Sequence, residues 1–127
     1  MNAYLLVGIG GALGSMARYG FGVLTGRFWS SDFPLGTVLI NILGSLAMGL
    51  FIGYLVRTLP SWQADARLFV AVGIFGGFTT FSSFSLDTIA MLERGQVGAA
   101  ALYVGISVIV GIVALYGGLL VMRGGVA

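Results

Sequence analysis

The residues of this chain that could do chemistry are concentrated in one run, at positions 76–85, which reads GGFTTFSSFS. Two adjacent glycines followed by β-branched and hydroxyl residues are poor helix formers when they stand in a row. A helix interrupted inside a membrane must satisfy its freed backbone groups within protein or with an ion. Freed carbonyls favour a cation, whereas the amides that begin the next helical segment favour an anion. The 76–85 run therefore predicts a broken helix with ion-binding potential.

Four phenylalanines recur at every third position from just before this run to near its end, at Phe75, Phe78, Phe81 and Phe84, and form a ladder along one side. For the first two, ordinary aromatic packing at a helix crossing is the expected role. An aromatic ring is negative on its faces and positive around its edge. Phe81 and Phe84, if they stand edge-on, can therefore hold a small anion without a fixed counter-charge. Weak sites in series also let an ion leave, whereas an arginine-lined pore would hold an anion too long.

A polar stripe precedes this run, at Thr37, Asn41, Ser45, Gly49 and Gly53, which recur every four residues. On a helix this spacing places them along one slowly drifting face. Asn41 is the most costly member to bury, because its amide needs partners for two donors and an acceptor. A hydrogen bond between helices and a pore-lining donor are both open roles for it.

A second stripe, with the same spacing, follows near the end of the chain at Tyr103, Ser107 and Gly111. Two polar stripes on separate helices could line one narrow path. Arg18 and Asp87 are the charges deepest in the apolar stretches, and such residues are functional candidates by default. Either could equally lie at a helix end in the headgroup region.

The elements that must position these residues are membrane-spanning helices. Of 127 residues, 58% are hydrophobic and 8% are charged, whereas a soluble domain is about a quarter charged. A spanning helix needs roughly 20 apolar residues. Four stretches meet that length, at about 3–24, 35–56, 68–92 and 97–122. They predict one all-α integral membrane domain over residues 1–127, with the third helix broken mid-membrane and both termini on the same side.

Composition excludes several functions. Six basic residues against four acidic ones leave too small an excess to suggest nucleic acid as a partner. Cysteine and histidine are both absent, which removes disulfides, thiolate metal sites and the commonest general base. With no lysine either, a serine nucleophile would have no plausible base. We therefore predict that the protein is not an enzyme.

The arginines divide almost equally between the two sides of the predicted bundle. Those on the side of the termini are Arg57, Arg67 and Arg123, and those on the other side are Arg27 and Arg94. Arg18, if it extends outward, makes the count equal. Orientation in a membrane follows a difference in such charges. Insertion in both orientations is therefore as well supported as one orientation set by a partner, and two opposite copies could pair about a two-fold axis.

The 76–85 run matches the GG-x-TTFS-[ST]-FS signature of the Fluc (CrcB) family of fluoride-specific ion channels. The chain resembles this family along its whole length, including GALGSMAR at 11–18, PLGT at 34–37 followed by Asn41, and MLERG at 91–95. The resemblance implies an antiparallel, dual-topology homodimer in the cell (inner) membrane, surrounded by lipid. Each of its two pores would pass fluoride down its gradient, which lowers cytoplasmic fluoride and relieves its toxicity.

The resemblance also assigns roles to particular residues. It implies that Phe81 and Phe84 are an edge-on ring pair and that Asn41 is the pore donor. It implies a structural Na⁺ at the dimer centre, not transported, held by the backbone carbonyls of Gly76 and Thr79 from both subunits. It implies a polar pore lining formed by Thr37, Ser82, Tyr103 and Ser107. Asp87 matches an acidic position near one mouth of the pore, and Arg18 is a candidate for the vestibule. Position 111 departs from the pattern, since relatives can carry serine where this chain has Gly111.

Two other classes of protein remain as alternatives. A proton-coupled exporter of small cationic drugs can also be short and inserted in both orientations. Such exporters need a buried carboxylate in the first span, which is absent here, and Asp87 is the only acid deep in any span. Dependence of transport on a proton gradient, abolished by Asp87→Asn, would favour that class. A structural subunit of a larger complex would show no ion flux when purified alone.

Overall fold

The structure, a computed structural model, describes residues 2–31, 33–79 and 81–124, and every regular element in those ranges is helical. Thr80 of the 76–85 run and Asp32 of the first connection lie outside the described residues. The helices are α1 (Ala3–Phe28), α2 (Leu35–Thr58), α3 (63–78), α4 (Phe81–Glu93) and α5 (Val97–Arg123).

Most helices run past the apolar limits predicted from the sequence, because polar residues at a helix end can face water without breaking its hydrogen bonds. The N-terminus of α1 is capped by Asn2, whose side chain accepts a 2.7 Å hydrogen bond from the Tyr4 amide. Between α4 and α5 the chain turns at Gly95, where a φ of 77° suits a residue without a side chain.

Helix α3 is irregular along most of its length. It begins as an α-helix over Gln63–Ala66, widens to a π-helix over Arg67–Phe75 and ends with Gly76–Phe78. Thr79 follows with an extended backbone (φ −96°, ψ 149°), and α4 begins at Phe81. Wider π turns are rare and often accompany functional sites. That this end of α3 lies at mid-membrane stays a prediction.

The protein is a multi-pass membrane protein. Within the described residues, three stretches are long and apolar enough to cross a bilayer: Leu35–Thr58 (α2), Gln63–Glu93 (α3 and α4 taken together) and Val97–Arg123 (α5). Helix α1, with 26 residues, is about 39 Å long at 1.5 Å per residue but falls outside this set, since its glycines and Arg18 lower its hydropathy. The predicted count of four spans therefore remains a prediction.

The long helices pack as two pairs, α2 with α5 and α1 with α3. A β-carbon placed on Gly49 would collide with the Leu115 carbonyl, and one on Gly53 would lie 2.7 Å from the Leu119 carbonyl oxygen. The contact point moves four residues forward along α2, from Gly49 to Gly53, as it moves four residues forward along α5, from Leu115 to Leu119. The two helices therefore run parallel. In lipid, small residues let helices approach closely where hydrophobic burial gives no drive.

The second pair is built in the same way. Gly10 and Gly14 are buried, and β-carbons on them would collide with the Phe69 and Ile74 carbonyls of α3. These contacts also place α1 and α3 parallel. The four-residue spacing of Gly10/Gly14, Gly22/Gly26 and Gly49/Gly53 in the sequence predicts close helix packing, and the structure confirms it for the first and last of these pairs. It is not seen for Gly22 and Gly26, since a β-carbon on either would have no atom within 4 Å among the described residues.

Few side chains are fully enclosed by the single chain. The main cluster is Val38, Met91, Ala100 and Tyr103, which joins α2, α4 and the start of α5. Large apolar side chains such as Tyr4, Phe28, Leu86 and Val121 are mostly exposed. Apolar surface of this extent is expected where lipid, or another membrane-embedded chain, is the surrounding medium.

Candidate ion-binding site

The two polar stripes predicted from the sequence face each other across the α2–α5 contact. On α2, Asn41 and Ser45 line a cavity of about 250 Å³. On α5, Ser107 and Val108 line the same cavity, and Thr79, Phe81 and Phe84 complete it from the end of α3 and the start of α4. We refer to it as the ring cavity. None of its lining residues is charged, so a bound ion would be held by dipoles and ring edges alone.

Phe81 and Phe84 stand one helical turn apart on α4, with ring centroids 5.8 Å apart and planes inclined at 45°. Phe84 is half-buried and packs on Tyr103 at 5.0 Å. Phe81 is 79% exposed, although it borders the ring cavity. In the single chain, therefore, one ring of the pair is fixed by packing and the other projects from the surface.

The earlier members of the ladder pack as expected. Phe75 meets Phe51 of α2 at 6.3 Å, and Phe78 meets Phe21 of α1 at 6.3 Å, both nearly edge to face. Their rings therefore tie α3 to its neighbours, as predicted for the first two rings of the ladder.

Two polar side chains in the ring cavity lack partners. Ser107 is 8% exposed, and its hydroxyl has no hydrogen-bond partner within the described residues. The Asn41 side chain likewise makes no hydrogen bond to any residue of the described ranges. A hydrogen bond from Asn41 that joins two helices is thus absent here. An unpaired buried polar group is costly, so the Ser107 hydroxyl is available to a ligand in the cavity. The half-buried Asn41 amide is open to the same ligand.

Asp87 lies one turn beyond Phe84, and its carboxylate accepts a 3.0 Å hydrogen bond from the Tyr103 hydroxyl. Tyr103 is fully enclosed, with Phe33 packed edge-on against its ring at 5.7 Å. The Thr37 side chain also contacts the Tyr103 hydroxyl. Asp87 is half-buried, so this acid is anchored within the bundle rather than extended into solvent.

A larger cavity of about 450 Å³ opens between α1 and the start of α2. Its polar lining includes Arg18, Thr37, Asn41 and Ser83, and Trp29 also borders it. Asn41 borders this cavity and the ring cavity alike. The two spaces are therefore adjacent, with a single amide between them.

Arg18 lies at the end of α3, where its Nε donates a 3.1 Å hydrogen bond to the Gly77 carbonyl. A helix end leaves its last carbonyls without intrahelical donors, and this guanidinium satisfies one of them. The positive charge thus borders the larger cavity and lies at the negative end of the α3 dipole.

The carbonyls proposed for sodium belong to the same helix end. Gly76 is exposed and Thr79 is half-buried. The Phe75 carbonyl oxygen accepts two hydrogen bonds from Thr79, one from its amide at 3.0 Å and one from its hydroxyl at 2.9 Å. Within the described residues no cluster of three acidic, histidine or cysteine side chains could hold a metal, so a cation here would need backbone oxygens. Hard cations accept such ligands, and the donor chemistry fits.

Two serines that line the cavities were not assigned roles by the family resemblance, although Ser45 belongs to the polar stripe predicted on α2, and one residue with an assigned role lies apart. Ser83 lines the larger cavity and Ser45 lines the ring cavity. The four-residue spacing of polar residues on α2 predicts that Ser45 shares a face with Asn41. Ser83 is one of several neighbouring hydroxyl residues, and only the orientation of α4 in the structure shows that it is the one lining the larger cavity. Ser82 is exposed and borders neither of these two cavities.

Comparison with known proteins gives consistent matches along the chain. The family model described as CrcB-like protein, Camphor Resistance (CrcB), matches residues 5–119. A fluoride-specific ion channel FluC of Hyphomonas neptunium is 47% identical over 123 residues, which cover 97% of each chain. FluC 2 of Nitrobacter hamburgensis is 48% identical over 94% of this chain and 96% of its own. FluC of Thermus thermophilus is 48% identical over 81% of each.

Proposed function

The chain belongs to the CrcB (Fluc) family, a family of membrane channels rather than enzymes, and from that membership we propose that it forms a fluoride channel. Its transport is passive and lets fluoride leave the cytoplasm down its gradient. The observation that carries this proposal is the ring cavity, where an unpaired amide, an unpaired hydroxyl and two aromatic rings meet without any charged side chain.

A fluoride ion loses its hydration stepwise along this route. Arg18 attracts it to the larger cavity, where Ser83 offers a hydroxyl donor and Thr37 adds to the polar lining. Asn41 then passes it to the ring cavity, because its amide borders both spaces. There Ser107 donates, and the positive edges of Phe81 and Phe84 replace water. Each contact is weak, so the ion continues rather than remaining bound.

The conducting form that we propose is an antiparallel homodimer. A ring that is 79% exposed in one chain contributes to a closed pore only when something covers it, and a second copy is the simplest cover. The near-equal division of arginines between the two sides supports insertion in both orientations. Two copies related by a two-fold axis would then carry two pores of opposite direction.

The direct test is ion efflux from liposomes that contain only the purified protein. Vesicles loaded with potassium fluoride, without a proton gradient or nucleotide, should release fluoride when a potassium ionophore balances the charge. Vesicles loaded with potassium chloride should retain their chloride. Retention of fluoride would overturn the proposal, and so would equal release of both anions.

We further propose that a sodium ion holds two copies together, bound by the Gly76 and Thr79 carbonyls of both. The C-terminal end of α3 favours positive charge, although Arg18 already takes the Gly77 carbonyl there. When bound, the ion would supply a fixed positive charge where the two broken helices meet.

Sodium removal provides the matching prediction. Replacing all sodium with N-methylglucamine should reduce fluoride efflux by about tenfold or more, because the α3 ends would lose their shared ligand. Fluoride efflux measured at graded sodium concentrations should recover in a saturable manner. Chemical cross-linking in parallel shows whether the dimer persists. Unchanged efflux from an intact dimer after sodium removal would refute the role of this ion.

A further inference from the structure

The polar stripe on α5 ends one turn too early for the path it lines. Tyr103 and Ser107 carry hydroxyls, but the next position on that face is Gly111, which is buried and has none. An ion leaving Ser107 in this direction would meet bare backbone on α5. Another helix must supply the next donor if the stepwise replacement of water is to continue.

Ser45 of α2 lies directly across from this gap. A β-carbon placed on Gly111 would be 3.6 Å from the Ser45 hydroxyl oxygen, and apart from the adjoining turns of α5 itself no other heavy atom of the described residues would come within 4 Å. The space in front of Gly111 is therefore open except for Ser45. The parallel run of α2 and α5 brings these two positions to the same level.

Ser45 also shares the ring cavity with the unpaired Ser107. Both side chains line it, and the Ser107 hydroxyl is more than nine-tenths buried without a partner among the described residues. The Ser45 side chain makes no hydrogen bond to any described residue. Two hydroxyls that line one cavity without a hydrogen-bond partner among the described residues can both bind the same ligand.

From this geometry we propose that Ser45 is a fluoride ligand of the pore and replaces the hydroxyl that α5 lacks at Gly111. The polar path crosses from α5 to α2 after Ser107. This inference rests on the proposed function, and it adds a donor that the stripe on α5 cannot provide. Ser45 touches the ion itself rather than acting through another residue.

The test compares four variants by fluoride efflux from liposomes. Ser45→Ala should lower the efflux rate about tenfold, as expected for losing a hydrogen bond to an ion. Adding Gly111→Ser should restore most of that rate, because its hydroxyl would enter the space that Ser45 faces. Adding Gly111→Ala instead should not restore it. Thr58→Ala removes a hydroxyl at the far end of α2 and should leave the rate unchanged.

The outcomes separate this inference from the function on which it rests. If the wild-type protein fails to release fluoride, the proposed function itself is wrong. If the wild-type protein conducts and Ser45→Ala conducts equally well, only the role of Ser45 is overturned. Equal recovery with serine and with alanine at position 111 would show that packing, not a hydroxyl, was restored, and it would also overturn the role. Gel filtration of each variant confirms that the dimer is intact.

Discussion

Replacing Phe81 by isoleucine should lower fluoride efflux from liposomes by at least about tenfold, which corresponds to about 1.4 kcal/mol on the transport barrier. Isoleucine keeps an apolar side chain at this position but has no ring, and so no positive edge to face an anion. The substitution is mild for the single chain, since Phe81 is 79% exposed and supports no buried core. A fluoride electrode records the initial efflux rate.

Phe75→Ile is the matched control for this experiment. It makes the same chemical change two steps earlier in the ladder, at a ring that packs on Phe51 at 6.3 Å and borders neither cavity. Phe75→Ile should retain most of the efflux. If Phe81→Ile conducts fluoride as fast as the wild type, the ring edges do not stabilise the ion and the mechanism fails.

Replacing Asn41 by aspartate should have the largest effect of any single substitution, a loss of efflux of about a hundredfold or more. The change removes both amide donors and adds a carboxylate at the junction of the two cavities, where it repels an entering anion. Losing a hydrogen bond to a charged ligand costs about 1.5–3 kcal/mol. Repulsion between the carboxylate and the anion in a low-dielectric pore adds to this cost. Fluoride efflux, normalised to the amount of reconstituted dimer, measures the loss.

Asn41→Leu distinguishes a donor from a structural link between helices. Leucine has the same branching and the same number of side-chain heavy atoms as asparagine but cannot donate a hydrogen bond. If Asn41 serves only the ion, the leucine variant should elute as an intact dimer and still lose fluoride efflux by about tenfold. A leucine variant that conducts normally would exclude Asn41 as the donor. One that falls apart would show that its amide joins helices, a role without a hydrogen bond among the described residues.

The surroundings of Asp87 argue against a proton-coupled exporter. As the only acid deep in a span, it was the residue that kept a proton-coupled exporter in consideration. Its carboxylate accepts a hydrogen bond from the enclosed Tyr103, and it borders neither of the two cavities. In the single chain, therefore, this carboxylate is held by a hydrogen bond and opens into neither cavity. This geometry favours the channel over a carrier that must load and release a proton at that carboxylate.

The sequence by itself determined the class of the protein. Apolar stretches of spanning length require helices in lipid, because no water is present to satisfy an open backbone. The packing role of Phe75, Phe78 and the Gly10/Gly14 and Gly49/Gly53 pairs was also readable, since small or aromatic side chains at helical spacing mark close helix contacts. The 76–85 run gave the family, and the whole-chain matches confirm it.

Only the tertiary structure decided which residues meet. Spacing puts Ser45 and Ser107 on polar faces, but the parallel α2–α5 pairing is what brings them into one cavity, opposite the bare Gly111. Local sequence likewise could not foretell that Arg18 caps the Gly77 carbonyl, 59 positions away in the chain. The physical reason is that a periodic pattern specifies a helix face, whereas its partner depends on how the backbones of other helices pack against it.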